Sequence, residues 1–292
     1  NKSRTKLQPE YEILDTGIFN NDEYFDINIT YAKQNSTDIF IKIDITNRNR
    51  VAAPITVLPT LWFYNRWIYS PGNVKPAISL LNKTAVKTEH GHLGNYYFYF
   101  QPADDRMFTE NETNFSKVTG SKNKTVFTKD AFHDAIISGT NRTKLRTKKE
   151  GTKFSPVYEL SVNAGETKTI YCRLTDQETG DPFLNGFENI FTLRKQEADD
   201  FYNSILPATF SPDLKNIQRK ALAGLLWSKQ FYHFDVKRWL TTGDGITEVN
   251  EGKQNGRNKE WVHLKNQDVI AMPDKWEYPW YAAWDLAFHC IS

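Results

Sequence analysis

The stretch Phe25-Asp-Ile-Asn-Ile-Thr-Tyr-Ala-Lys-Gln-Asn-Ser-Thr-Asp-Ile-Phe-Ile-Lys-Ile-Asp-Ile-Thr46 alternates apolar and polar residues twice over. Phe25, Ile27, Ile29 and Tyr31 are interleaved with Asp26, Asn28 and Thr30. Ile39, Ile41, Ile43 and Ile45 are interleaved with Phe40, Lys42, Asp44 and Thr46. Successive side chains of a strand point to opposite faces, so each run has one apolar face. The link Gln34-Asn-Ser-Thr-Asp38 is rich in turn formers, and the pair predicts an antiparallel hairpin. Outward from it, further strands fit Thr56–Trp62, Asn95–Phe100 and Val157–Val162. Asn163-Ala-Gly-Glu166 then turns the chain into Thr169–Leu174. Short strands punctuated by turn signals point to a β-sandwich. Its expected core contains Phe25, Ile27, Ile29, Ile39, Ile41, Ile43, Leu160, Val162, Ile170 and Leu174. Residues 103–153 are polar and rich in Asn, Thr and Lys, which predicts long loops with a strand or two. The run Arg142-Thr-Lys-Leu-Arg-Thr-Lys-Lys149 reads as a solvated loop.

The second half changes period. Arg194 to Leu206 is rich in helix formers and stops at Pro207. Ser211-Pro212-Asp213 is a helix start, with Ser as cap, Pro at the first position and Asp at the positive end. Leu214, Ile217, Ala221, Leu222, Leu225 and Leu226 then follow a helical period. Residues 241–260 read as a loop, and a last helix opens near Pro279. The expected organisation is a sandwich over 1–186, a linker helix over 187–210 and a helical domain from 211 to 292, continued in a longer parent chain.

The 292 residues carry 37 Lys and Arg against 35 Asp and Glu, so no chain-wide grip on nucleic acid is indicated. No apolar run approaches the length of a membrane span. With 2 cysteines, a disulfide scaffold is excluded, and the pair leans toward a reducing, cytoplasmic setting. His90-Gly-His92 lacks a third ligand, so no metal site and no cofactor are expected. His233, among Trp227, Phe231, Tyr232 and Phe234, reads as a packed or pocket-rim histidine.

The chemistry concentrates in the segment Trp276-Glu-Tyr-Pro-Trp-Tyr-Ala-Ala-Trp-Asp-Leu-Ala-Phe-His289. On a helix, Tyr281, Trp284, Asp285 and Phe288 share one face. A carboxylate inside an aromatic stripe is costly unless something hydrogen-bonds it. Two readings fit: a sugar, whose C–H faces stack on rings while its hydroxyls donate to Asp, or an aromatic helix–helix contact with a paired Asp.

This segment resembles the W-D-x-x-F/Y element of the clan that unites glycoside hydrolase family 63 with the trehalases. The likeness is closest to bacterial family 63 glucosidase-like proteins. Leu61-Trp-Phe63, Phe108-Thr-Glu-Asn-Glu-Thr113 and Ala223-Gly-Leu-Leu-Trp-Ser-Lys-Gln-Phe-Tyr-His233 resemble the same group. The resemblance implies a β-sandwich followed by an (α/α)6 barrel, of which this chain would hold the opening helices. It makes Asp285 a substrate-binding residue of the −1 subsite, with Trp284 and Tyr278 as walls and Trp280 beside them. Glu110 and Glu112 could shape the pocket rim, or make an inter-domain contact. The mannosylglycerate-hydrolase branch has a Trp where this chain has Ala282, which puts that substrate in doubt. The family's acid and base lie on later barrel helices, so no catalytic residue is expected before Ser292. The implied activity is that of an inverting α-glycoside hydrolase acting on an oligosaccharide or small glycoside. The alternative is a non-catalytic carbohydrate-binding or structural β-sandwich module.

Overall fold

The computed structural model describes residues 4–68, 72, 74–183, 186–241, 251–272 and 280–289. The chain divides into two compact units, one of Asn1–Arg66 and Asn73–Arg194, the other of Trp67–Gly72 and Lys195–Ser292.

The first unit is built on strands β1 (Phe25–Asn35), β2 (Asp38–Asn47), β3 (Ala53–Val57), β4 (Leu61–Trp62), β5 (Ala77–Asn82), β6 (Ala85–His90), β7 (Gly94–Phe100) and β8 (Asp105–Thr109). Three short helices follow, α1 (Phe115–Val118), α2 (Ala131–Ile137) and α3 (Arg142–Thr147), and then strands β9 (Glu150–Gly151), β10 (Lys153–Val162) and β11 (Thr167–Thr175). Seven strands form an antiparallel sheet in the order β1-β2-β11-β7-β6-β5-β9, and β3, β4 and β8 pair with β10 in a second sheet. One core lies between the sheets. Ile43, Ile45, Ile78, Val86, Phe98, Phe100, Ile170 and Cys172 come from the larger sheet, and Phe108, Phe154 and Tyr158 from the smaller. Phe154 is the hub, with ring centroids 4.7 Å from Phe108, 5.4 Å from Phe100 and 6.5 Å from Phe98.

The hairpin β1–β2 forms in the expected register, with Ile27 opposite Ile45 and Ile29 opposite Ile43. Ile43, Val162 and Ile170 are buried, Phe25, Ile41, Leu160 and Leu174 pack half-buried against the core, and Ile39 is half-buried. Ile27 and Ile29, however, are 50% and 49% exposed. β1 is the edge of a seven-stranded sheet facing a smaller one, so its apolar face lies beyond the cover that its neighbour β2 receives. Thr56–Trp62 is not one strand but two, because Leu58-Pro59-Thr60 interrupts pairing. The hairpin β5–β6, turning through Asn82-Lys83-Thr84, was not foreseen. Its signal is the alternation of Ile78, Leu80, Val86 and Thr88 about an Asn that accepts from the Thr84 amide at 2.8 Å.

The polar middle is more ordered than its composition suggests. The basic run is helix α3, not a solvated loop. Leu145 is fully buried with Met107, Phe132, Ala135 and Val157, on the outer face of the smaller sheet. Arg142 pairs with Glu159 at 2.6 Å and with Asp105 at 3.5 Å, and Arg146 reaches Asp105 at 3.4 Å. One leucine among cations suffices, because the long basic side chains lie over the surface while their charges find carboxylates. Nearby, Asp130 accepts from Thr128 at 2.6 Å, from Asn114 at 2.9 Å and from Lys117 at 2.9 Å.

On the other face of the larger sheet, Phe40 stacks on Phe187 at 4.3 Å. Phe187 opens helix α4 (Phe187–Ile205), at the start of the expected linker helix; the helix formers of Arg194 to Leu206 are its second part. Arg173 donates to both Asp38 oxygens, at 2.9 and 2.7 Å, and its guanidinium lies 4.9 Å from the Phe40 ring.

The second unit contains the rest of α4, α5 (Pro212–Trp227), β12 (Lys229–Asp235), α6 (Val236–Thr241), α7 (Glu251–Gln254), β13 (Lys265–Ala271) and α8 (Ala283–His289). Ser211 caps α5 as expected, accepting from the Leu214 amide at 3.2 Å. The expectation of an all-helical second half is corrected, since β12 and β13 form a seven-residue antiparallel hairpin. Tyr232 and Phe234 favour a strand, and they point to the opposite face from Phe231 and His233. The described helices form no (α/α)6 ring. α5 buries none of its residues, and Leu226 and Trp227 are 66% and 88% exposed.

Two outcomes follow from the sandwich. A Cβ on Gly151 would meet the Thr109 carbonyl oxygen at 2.5 Å, where the chain passes from the larger to the smaller sheet. Gly151→Ala should therefore cost about 1–3 kcal/mol in urea unfolding, where a surface Gly→Ala change shifts the midpoint little. Partial burial alone would raise the Asp130 pKa, but hydrogen bonds from Thr128, Lys117 and Asn114 more than offset it and hold the carboxyl at about 2. A lowered pKa contributes stability that is present above the ordinary carboxylate range and lost as pH falls through the folded value. Asp130→Asn should therefore narrow its stability deficit against the natural chain between about pH 4 and pH 2, read by thermal melts across that range.

Candidate functional site

Asp285 lies in α8, and its surroundings follow from how that helix sits on the hairpin. Ala282, just before α8, and Leu286 one turn on face inward, onto Ile270, Met272 and Tyr232. With that side taken by the small core, Trp284 and Phe288 are turned outward, 77% and 55% exposed, with ring centroids 5.4 Å apart. Asp285 is half-buried beside them and forms no hydrogen bond or ion pair among the described residues. Tyr281 is 38% exposed, and its ring lies 5.7 Å from that of Tyr232 on β12. Trp280 is 50% exposed. Tyr278 and Glu277 lie outside the described residues.

Of the face anticipated from spacing, Trp284, Asp285 and Phe288 lie on α8, with both aromatic rings outward and an ionisable group beside them, while Tyr281 falls before the helix. No described helix covers it, so the stripe is not a helix–helix contact among the described residues. Flat apolar rings beside a carboxylate with vacant lone pairs form a surface that can hold a polyhydroxylated ring: its C–H face against indole, its hydroxyls donating to Asp285.

Of the other anticipated residues, Glu110 and Glu112 belong to the first unit and His233 to the second. Glu110 belongs to the sandwich, where Thr152 donates to it at 2.8 Å and Lys75 pairs with it at 2.9 Å. The same Thr152 hydroxyl accepts from the Asn111 amide at 2.7 Å, and Asn111 donates to the Phe63 carbonyl at 2.8 Å. Glu112 is buried, only 6% exposed. This is a satisfied polar cluster tying β4, β8 and β9 together. His233 is not packed in a core. It is exposed on the hairpin, opposite Gln267 and 6.0 Å from the Phe231 ring, because strand alternation turns it away from Tyr232.

His90 accepts from the amides of His92 and Leu93, each at 3.1 Å, so it closes a turn. Among the described residues, no group of three or more His, Cys, Asp or Glu side chains is placed to hold a metal ion. Cys172 is a buried core thiol whose pKa burial pushes up to about 12, which makes it structural rather than nucleophilic. Among the described residues, no helix is long and apolar enough to cross a membrane. Sequence reasoning missed Asp268, which faces Tyr232 across the hairpin. The signal available was the aromatic alternation of Phe231, Tyr232, His233 and Phe234, but its partner strand begins thirty residues away.

No protein-family model matches the chain. An uncharacterized protein of Saccharomyces cerevisiae, YMR196W, is 32% identical across 100% of this chain, and the chain spans 31% of that protein's length. A putative kojibiose phosphorylase from the human microbiome aligns in structure over 72% of this chain and 22% of its own, with 11% identity and a TM-score of 0.28.

Proposed function

We propose that the chain is the sandwich and opening helical portion of a carbohydrate-active enzyme, an inverting α-glycoside hydrolase of family 63 type. In this reading, residues 1–186 are the sandwich, 187–210 a linking helix and 211–292 the start of an (α/α)6 domain. The supporting observation is Asp285, half-buried and unpaired, set among the outward rings of Trp284 and Phe288. The resemblance of the surrounding segment to the W-D element of that clan gives the arrangement its role.

Asp285 binds the sugar being cleaved. Its two oxygens accept from two hydroxyls, while Trp284, with Tyr278 and Trp280, borders the ring. Charge-assisted hydrogen bonds of this kind contribute about 1.5–3 kcal/mol each. They strengthen as the ring flattens toward an oxocarbenium-like state. Inversion needs an acid on the leaving oxygen and a base on water, about 6.5–9.5 Å apart. The reading gives neither role to Asp285, and the resemblance puts both on later helices of a longer protein. The exposed apolar side chains of α5, Leu214, Ile217, Leu226 and Trp227, suit a helix that further helices would cover.

In that longer protein, Asp285→Asn keeps the shape but replaces one acceptor by a donor and removes the charge. The expected fall in kcat/KM is about 10²–10⁴-fold, corresponding to roughly 3–5 kcal/mol of transition-state binding. The bell-shaped pH profile should keep both limbs, because Asp285 transfers no proton. Loss of one limb in the variant would make Asp285 the acid or base and overturn the subsite assignment.

A further inference from the structure

The larger sheet ends on β1, which pairs with β2 alone among the described residues. This edge is 11 residues long and holds no Pro or Gly, whereas the opposite edge, β9, has 2 residues. An edge of that length presents a row of unpaired amides and carbonyls to another strand. Ile27, Ile29 and Tyr31, on the side that β1 shares with the core, are 50%, 49% and 67% exposed, and Phe25 is half-buried in line with them. Opposite charges stand at the two ends of this stripe, Glu23 just ahead of Phe25 and Lys33 just past Tyr31. Both are exposed, and neither side chain forms a hydrogen bond or ion pair among the described residues.

The stripe is complementary to itself. A second copy can pair antiparallel along β1 about a two-fold axis normal to the sheet, which keeps both apolar stripes on one face. With that axis at Asn28, Ile27 faces Ile29 of the second copy, Phe25 faces Tyr31, Asp26 faces Thr30 and Glu23 faces Lys33, each contact occurring twice. Apolar residues opposite apolar ones, and an acid opposite a base, are the cross-strand pairs that stabilise a sheet. Other registers lose the match. An axis at Ile27 sets Tyr31 against Glu23, one at Ile29 sets Phe25 against Lys33, and one at Thr30 sets Ile27 against Lys33. An extended peptide of unrelated sequence would find the backbone groups but not this doubled arrangement of charge. Pairing of this kind uses up the long edge of both copies, and β9 is too short to carry the sheet further, so the assembly closes at two.

We infer that β1 is the interface of a symmetric homodimer, in which the larger sheets of two copies join edge to edge with Asn28 on the two-fold axis. Sedimentation equilibrium of the 292-residue chain tests it. The natural chain should pass from monomer to dimer between about 1 and 200 μM, as suits a small interface. Lys33→Glu sets a carboxylate against Glu23, and Glu23→Lys sets an ammonium against Lys33. Each should weaken the dimer about tenfold, because each change enters twice. The chain that carries both changes restores the opposite pairs with their signs exchanged, and should regain the natural affinity. Both side chains are exposed and unpaired, so all three variants should keep the circular dichroism spectrum of the natural chain. A chain that stays monomeric throughout, its edge left bare or taken by another partner, overturns the inference. So does an association that ignores the single changes, as contact through the open faces of α5 or α8 would, or one that the combined change fails to restore.

Discussion

Phe154 holds the two sheets of the sandwich together. It comes from the smaller sheet with Phe108 and meets Phe98 and Phe100 of the larger one, and all four rings are buried. Aromatic pairs at these separations contribute about 0.5–1.5 kcal/mol each beyond the area they remove from water. The cluster also fixes where the chain must change sheets. Gly151 pairs with Ile78 in the larger sheet, and Lys153 already pairs in the smaller. The intervening corner passes so close to Thr109 that no side chain fits at 151. Thr152, at the corner itself, is consequently buried, and its hydroxyl organises Glu110 and Asn111. The sheet crossing thus sets the partners of Glu110 and Asn111.

Much of the sandwich was legible because its strongest signal is local. The alternation of Ile39 to Ile45 needs no knowledge of partners, and β2 is central enough to bury that face. The same alternation in β1 misled at Ile27 and Ile29, since periodicity shows that a face is apolar but not that anything covers it. Leu145 was hidden for the opposite reason: its value comes from Met107 and Val157, far away in the chain, while its neighbours are cations. The hairpin of the second unit was missed because β12 and β13 are separated by a long connection, and neither carries a turn signal of its own.

The candidate site was more legible than its setting. Trp284, Asp285 and Phe288 are placed by helical spacing within seven residues, and α8 realises it. What the spacing could not supply is which side of the helix turns inward. Ala282 and Leu286 settle that by packing on Ile270 and Met272, and the aromatic side is left outward. The two units also differ in how they hold themselves together. The sandwich has extensive buried clusters, whereas the described residues of the second unit include a small one of Ile270, Met272 and Ala282 and leave large apolar side chains on α5 and α8 open. Surface of that kind is found where a ligand or further polypeptide is received.

The central claim is that the outward face of α8 receives a sugar through ring stacking and the Asp285 carboxylate. Saturation-transfer difference NMR on the 292-residue chain with glucose measures it most directly, because magnetisation passes only to sugar protons that touch the protein. The account predicts transfer strongest to the C–H protons of one pyranose face, and its loss in Trp284→Ala with the fold retained. Transfer that is absent from the natural chain, or that persists unchanged in Trp284→Ala, would contradict it.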